Sequence, residues 1–468
     1  MLTRRSFLGA AAGTPLAGAA RPLNFVFFLI DDMGWRDSTP YGSAWYETPN
    51  LARLAGEGMT FTDAYAACPV CSPTRAAILT GKYPARLQLT DWIPGRKQHP
   101  SAKLLVPAFQ QQLPDSEQTV AEALRAAGYR SASIGKWHLG GEGFDPVSQG
   151  FDLNVAGTFR GSPPGYFGPF DLPNLKSGTK EDELSALLAQ KAEAFLEENR
   201  ERPFFLYLPH FAVHTPLQAR QQLIDKYKNK PDPQGNPIYA AMVETMDAAV
   251  GRVLRKLDEL GIAGRTAVFF TSDNGGLRFE GRSKIATTDN APARAGKGHL
   301  FEGGVRTPLL VRWPGVTKPG SSCDVPVTSV DYSPTILEGA GVRMPSVDGE
   351  SLRPLLGGSG TLRRSAIYWH YPHYSNQGGA PGGAVRRGDW KLIEFYEDAR
   401  LELFNLRDDP GERRNLAKRE ARRAAEMHRD LARWRQAVRA TMPKVNPGYD
   451  PATADQGLTG VEPPTPPG

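Results

Sequence analysis

Two pairs of oxygen-bearing side chains, Asp31-Asp32 and Asp273-Asn274, each follow a run of apolar residues. Three carboxylates and one amide oxygen form a donor set for a hard cation, with calcium expected first and magnesium second. Either pair alone fits a turn or helix cap equally well. Between them in sequence lies Cys71-Ser72-Pro73-Thr74-Arg75, continued by Ala76-Ala77-Ile78-Leu79-Thr80-Gly81. Proline two residues after Cys71 suits the first helical position, where its missing N–H costs nothing. Cys71 and Ser72 are therefore expected at a helix N-terminus, whose free N–H groups and partial positive charge favour an anion. Arg75, one turn further in, adds a permanently charged fork suited to a tetrahedral oxyanion. An ordinary capped helix would show the same local pattern.

The elements that must position these groups are legible as apolar runs. Residues 24–30, 129–134, 203–208, 266–271 and 308–313 read as buried strands, alternating with helix-period segments to about residue 340. That alternation predicts an α/β sheet with helices on its faces. In open α/β sheets ligands collect at the carboxyl ends of strands, where both oxygen-rich pairs fall. Thr48-Pro49 marks one helix start and Ser116 another. The segment 239–260 places Met242, Met246, Val250, Val253, Leu254 and Leu257 at helical spacing and reads as core. Beyond about residue 345 come shorter β-like runs at 366–371, 390–396 and 401–406. A basic helix follows, with Leu416, Met427, Leu431, Trp434 and Val438 as its buried stripe. The expected division is a catalytic α/β unit over 21–345, a small sheet-plus-helix subdomain over 346–442, and a mobile Pro-rich tail over 443–468.

Composition narrows the class. The 468 residues carry a net charge of +6, are 40% hydrophobic and include 49 Gly and 40 Pro, as expected for a globular chain with many ordered loops. The arginines near the C-terminus lack an accompanying aromatic stacking platform, so they read as a solvated face and not as a nucleic-acid site. Thr3-Arg4-Arg5-Ser6-Phe7-Leu8 and the Gly/Ala-rich stretch to Ala20 look like a twin-arginine signal peptide over 1–20. It implies passage through the Tat translocon to the periplasm or medium. No later segment is long and apolar enough to span a bilayer. Three cysteines, Cys68, Cys71 and Cys323, do not make a disulfide framework. Cys68-Pro69-Val70-Cys71 also reads as a redox pair or half a zinc site, but no second Cys pair completes either.

Together these motifs resemble the type I sulfatases of the alkaline phosphatase-like superfamily, from Asn24 to roughly Leu416 and in the family's usual order. Besides the pentad and the two oxygen-rich pairs, the resemblance rests on Gly135-Lys136-Trp137-His138-Leu139-Gly140, on Pro209-His210-Phe211-Ala212-Val213-His214-Thr215-Pro216, and on Gly296-Lys297-Gly298-His299. Gly388-Asp389-Trp390-Lys391-Leu392 resembles the family's C-terminal subdomain, and Thr74 stands where serine is commoner. The resemblance implies a large mixed β-sheet flanked by helices with a smaller C-terminal α+β subdomain. It also implies that a maturase oxidises Cys71 to Cα-formylglycine. Position 71 then joins Asp31, Asp32, Asp273 and Asn274 around the metal. By the same resemblance Arg75, Lys136 and Lys297 clamp the sulfate, His138 acts as a base, and His214 or Lys297 protonates the leaving alcohol.

A sulfated carbohydrate is the expected substrate. Tyr368-Trp369-His370-Tyr371-Pro372-His373-Tyr374 offers rings and imidazoles suited to sugar faces and hydroxyls, so His370 and His373 are candidate substrate ligands. The same residues fit core packing equally well. Similar segments in bacterial sulfatases point to 4-sulfated galactose or N-acetylgalactosamine. Two alternatives share the motifs: a phosphonate monoester or phosphodiester hydrolase, and a non-catalytic protein that captures sulfated glycans.

Overall fold

The computed structural model describes residues 22–278, 286–343, 346–358 and 360–453. The expected signal peptide and the last part of the Pro-rich tail lie outside the described residues. At the centre is a mixed sheet of nine strands among the described residues. Asn24–Ile30 runs parallel between Thr266–Ser272 and Phe204–Pro209. Arg130–Ile134 and Leu153–Val155 extend the sheet beyond Phe204–Pro209, in parallel. On the other side Arg306–Arg312 is antiparallel to both Thr266–Ser272 and Met59–Tyr65. Ser321–Cys323 and Val327–Thr328 pair with the outer side of Met59–Tyr65.

The central strand is buried along its whole length, because helices cover both faces of the sheet. Val26, Phe28 and Ile30 pack with Pro49–Glu57, Leu184–Asn199 and Pro237–Glu259. Phe25, Phe27 and Leu29 point the other way, toward Cys71–Thr80, Val120–Ala126 and Tyr332–Gly339. Each such side chain contributes roughly 1.5–3 kcal/mol on burial. The strand that ends in Asp31-Asp32 is therefore among the most firmly held in the molecule.

The smaller unit is a four-stranded antiparallel sheet, in the order Ile367–Tyr371, Gly382–Arg387, Trp390–Phe395 and Arg400–Asn405. Helix Ala421–Ala437 covers one face, where Ala424, Met427 and Leu431 meet Val385, Leu392 and Leu403. The other face packs on the large unit through Trp369, Ala384, Ile393 and Phe404 against Tyr65, Val70, Phe301 and Val305. Deep in this interface Lys391 Nζ lies 2.9 Å from Glu302 Oε1 and 3.0 Å from Glu412 Oε1. Tyr65 donates its hydroxyl to Glu302 Oε2 at 2.6 Å and itself accepts from Arg386. Burial raises the Glu412 carboxyl to about 7. Burial acts the same way on Glu302, but Lys391 and Arg386 outweigh it and hold that group at about 2.

Some expectations are corrected. The helix assigned to a Ser116 cap begins instead at Thr119, whose hydroxyl accepts from the Glu122 N–H while the Glu122 carboxylate accepts from the Thr119 N–H. Only Thr119 has an acidic residue three positions on, so only it can close both bonds. Pro73 is the third helical residue and not the first, since Cys71 already opens the helix. The start of the tail is tied down, not loose: Lys444–Val445 pairs with Leu104–Leu105, and Asn446 donates to the Pro100 and Ala102 carbonyls. Hydrogen bonds and not apolar burial secure it, for Val445 is 78% exposed. Strand Gly382–Arg387 escapes sequence reading because its two glycines and two arginines carry little β signal. Among the described residues no helix is long and apolar enough to cross a membrane.

Lys391→Met leaves two buried carboxylates without their shared cation and is expected to destabilise the protein by about 3–5 kcal/mol, measured by urea denaturation. Adding Glu412→Gln to that variant should return part of the loss; a single substitution with unchanged stability would contradict this account.

Candidate active site

The site begins with strand register. Asn24–Ile30 and Thr266–Ser272 are parallel neighbours with Ile30 opposite Ser272, so Asp31-Asp32 and Asp273-Asn274 emerge side by side from the same edge. The Asp273 N–H donates to the Ile30 carbonyl at 3.0 Å, and the Asp32 N–H donates to Asp273 Oδ1 at 3.2 Å. Asp32 sits at φ 60°, a left-handed conformation that an aspartate adopts at some cost. All four side chains are buried.

Cations meet this acidic edge from three elements. Helix Cys71–Thr80 places Cys71 Sγ 3.6 Å from Asp31 Oδ1 and brings Arg75 against Asp273 Oδ2, with Nε at 2.9 Å and Nη2 at 2.8 Å. Lys136 follows strand Arg130–Ile134 and reaches Asp31 Oδ2 at 2.6 Å. Its loop turns directly over a neighbouring strand end, for a Cβ at Gly135 would lie 2.0 Å from the Pro209 carbonyl oxygen. Lys297 lies 2.7 and 2.8 Å from the two Asp32 oxygens. Its loop is pinned by Lys297 N–H to Gly276 O and Gly298 N–H to Pro69 O. The buried environment raises Asp31 to about 7, against the pull of Lys136. Asp32 lies below the ordinary carboxylate range because Lys297 and His214 outweigh its burial. Burial also pushes the Cys71 thiol up to about 12, while Lys136 and Lys297 pull it down.

Two histidines complete the floor. His138, at φ 61°, holds Nε2 2.6 Å from the Ile93 carbonyl. That contact requires the proton on Nε2, so the buried Nδ1, which has no partner, carries a free lone pair. His214 Nδ1 lies 2.7 Å from the Thr215 carbonyl and must donate, leaving Nε2 as an acceptor 3.7 Å from Asp32 Oδ2. Burial, with Lys297 adding to it, lowers His214 to about 3, and burial, with Lys136 adding to it, lowers His138 well below its usual value. Both imidazoles are neutral at pH 7.

Above this floor opens a cavity of about 610 Å³. Asp32, Cys71, His138, His214 and Lys297 line it, whereas Arg75 and Lys136 are fully buried behind them. The wall residues Trp92, Phe159, Arg160, Asn376 and Gln377 were not singled out from sequence. They come from loops without a periodic pattern, and only the aromatic character of Trp92 and Phe159 offered a signal. His370 and His373 do not line this cavity. His370 is held between the Tyr396 hydroxyl and the Thr441 carbonyl, and His373 bonds Thr90 Oγ1 at 2.8 Å, so both are spent on internal packing. The chain that follows them reaches the cavity instead, at Asn376-Gln377. His210 is buried against the Phe28 ring, and Glu302 and Arg306 fix loops, the latter through Asp63 at 3.0 Å. Cys68, Cys71 and Cys323 are all free thiols.

The donor set suits a hard divalent cation. Ligand atoms of Asp31, Asp32, Cys71 and His214 lie within 4.8 Å of one another. Asn274 donates through Nδ2 to Asp32 Oδ1, yet its buried Oδ1 has no hydrogen-bond partner among the described residues. A buried carbonyl oxygen without a donor, set among carboxylates, is where a cation is needed. Asp273 contributes less freely, since its oxygens already accept from Arg75 and from the Asp32 N–H. A carboxylate oxygen nonetheless keeps a second lone pair for a metal.

The sulfatase family profile matches residues 23–342, and that of the N-sulphoglucosamine sulphohydrolase C-terminal region matches residues 295–437. A sulfatase of Formosa agariphila is 33% identical over 473 residues, covering 84% of each chain. The N-acetylgalactosamine-6-sulfatase of Rattus norvegicus is 36% identical over 77% of this chain and 70% of its own. Arylsulfatase A of Homo sapiens is 33% identical over 88% and 86%. Among solved structures, Ps i-CgsB in complex with k-i-k-neocarrahexaose superposes with a TM-score of 0.76 at 27% identity, covering 88% of this chain and 93% of that one. The match to these enzymes over most of the chain, laid over a floor of carboxylates, cations and neutral imidazoles, leads to one conclusion: this chain belongs to the sulfatase family and is a sulfuric ester hydrolase.

Proposed function

We propose that the chain hydrolyses a sulfate monoester on a carbohydrate, using Cα-formylglycine formed from Cys71 by a maturase and a divalent cation held by Asp31, Asp32, Asp273 and Asn274. Calcium is the first choice and magnesium the second. The observation that carries this reading is the meeting of Cys71, Lys297, His138 and His214 on one cavity floor, backed by Arg75 and Lys136. The carbohydrate class draws support from the relative named for N-acetylgalactosamine 6-sulfate and from the oligosaccharide-bound structural neighbour. A 610 Å³ cavity with Trp92, Asn376 and Gln377 on its wall also suits a sugar ring. Galactose and N-acetylgalactosamine sulfated at position 4 or 6 are the first substrates to test. The reading extends to export through the twin-arginine segment into the periplasm or medium, which cell fractionation tests.

Formylglycine would supply an oxygen nucleophile and the cation would supply Lewis-acid charge beside it. The remaining chemistry falls to the chain. Arg75, fixed on Asp273, and Lys136, fixed on Asp31, hold positive charge under the transferring group, where negative charge spreads in the transition state. His138, with Nδ1 unprotonated, is placed to accept a proton. His214, neutral and donating only to Thr215, orients at the leaving oxygen but has no proton to give. Lys297, whose neighbouring Asp32 keeps it protonated, is therefore the group that delivers a proton to the departing alcohol.

Mass spectrometry of the peptide containing Cys71 should find an aldehyde in place of the thiol, and the same preparation should release sulfate from members of the sugar panel. An unmodified thiol in fully active enzyme would sink the mechanism. Lys297→Ala should lower kcat by roughly a hundredfold on a sugar sulfate and by much less on an activated aryl sulfate, whose leaving group needs no proton. An equal loss on both would mean that Lys297 acts on the sulfate and not on the departing alcohol. Chelation should abolish turnover, with calcium restoring more than magnesium; calcium at a hundred times its Kd should also stabilise the protein by about 2.7 kcal/mol in thermal unfolding, an effect that Asn274→Leu should reduce.

A further inference from the structure

The cavity wall at 158–162 is fastened to both floor histidines. The His138 N–H donates to the Thr158 carbonyl at 3.0 Å, and Gly161 packs so closely on the His138 ring that a Cβ there would lie 2.6 Å from Cε1. Ser162 Oγ lies 3.5 Å from His214 Nδ1. The tip of this segment is Phe159, 57% exposed, followed by an exposed Arg160 whose guanidinium lies 5.9 Å from the Phe159 ring centroid. Among the described residues no carboxylate pairs with Arg160. The same two residues also line a second cavity, of about 720 Å³, whose wall carries Glu142, Asp145 and Asp171. Phe159 and Arg160 thus form a ridge between the floor cavity and an acidic neighbour, at a position set by the catalytic histidines.

We propose that Arg160 is a specificity-determining residue that binds an anionic substituent on the sugar adjoining the one desulfated, with Phe159 as the apolar surface under that sugar. The proposal rests on the carbohydrate reading above and deepens it, from a sulfated sugar to an anionic oligosaccharide. The anion is a carboxylate or a second sulfate ester, both of which match a guanidinium fork. Three carboxylates in the second cavity repel negative charge further out, so the favoured anion is confined to the ridge. An aromatic ring beside a cation that no carboxylate pairs with among the described residues, at the junction of two cavities, accepts the face of a pyranose and the charge on its rim together.

The test uses the fully modified enzyme and three disaccharides sharing one sulfated galactose or N-acetylgalactosamine, whose neighbouring sugar is neutral, carries a uronate, or carries a sulfate. Wild type should favour one of the two anionic compounds over the neutral one by about tenfold in kcat/KM. Arg160→Ala should bring that ratio close to one, and Arg160→Lys should recover part of it. The ratio is internal to each preparation, so any loss of folded protein cancels. A wild-type ratio near one, or a ratio retained in R160A, overturns the proposal while leaving the carbohydrate reading standing. Turnover of an aryl sulfate with none of any sulfated sugar overturns both. The arm that loses its advantage identifies the anion.

Discussion

Three buried carboxylates cannot share one strand edge in an apolar interior unless cations balance them, and that constraint organises the molecule. Asp31, Asp32 and Asp273 meet because two parallel strands are in register, and each is answered by its own cation: Lys136, Lys297 and Arg75 respectively. Removing charges from water costs several kcal/mol per ion, so the arrangement holds only where partners and hydrogen bonds are complete. Asn274 Oδ1 has no donor among the described residues, and that marks where the donor set calls for a metal. Charge balance thus explains why a helix and two loops from distant parts of the chain must close over one short segment.

Both loops are held by something outside the site. Lys297 sits in a segment tied to Pro69 and Gly276, and its neighbour His299 bonds the Gln377 carbonyl of the smaller unit. That unit is in turn locked to the large sheet by Lys391 between Glu302 and Glu412. The smaller unit is therefore more than a lid on the fold. It supplies Asn376-Gln377 to the cavity wall and steadies the loop bearing a floor cation, so packing far from the reacting centre bears on its geometry.

Much of the architecture was legible because burial leaves a periodic trace. The runs at 24–30 and 266–271 match Asn24–Ile30 and Thr266–Ser272 within one residue, since strands covered on both faces are continuously apolar. The helix at 239–260 matches Pro237–Glu259 for the equivalent reason. Met59–Tyr65 was overlooked, as its threonines and aspartate interrupt the apolar signal near the sheet edge. His370 and His373 misled because an aromatic, imidazole-rich run looks alike whether it faces a ligand or a core. Their partners, Tyr396, Thr441 and Thr90, are between 26 and 283 residues away in the chain and cannot be guessed from composition.

Sequence by itself determined the chemical inventory: a cysteine at a helix start with an arginine one turn on, two oxygen-rich strand ends, and lysines and histidines in short loops bounded by glycine or proline. These are local properties, set by side-chain type and by spacing along a few residues. Tertiary structure alone decided which proton each imidazole carries, which lysine answers which aspartate, and that Phe159 and Arg160 border the cavity. Those facts depend on carbonyls and carboxylates brought within hydrogen-bond distance from remote segments, and a one-dimensional pattern carries no record of distances that folding creates.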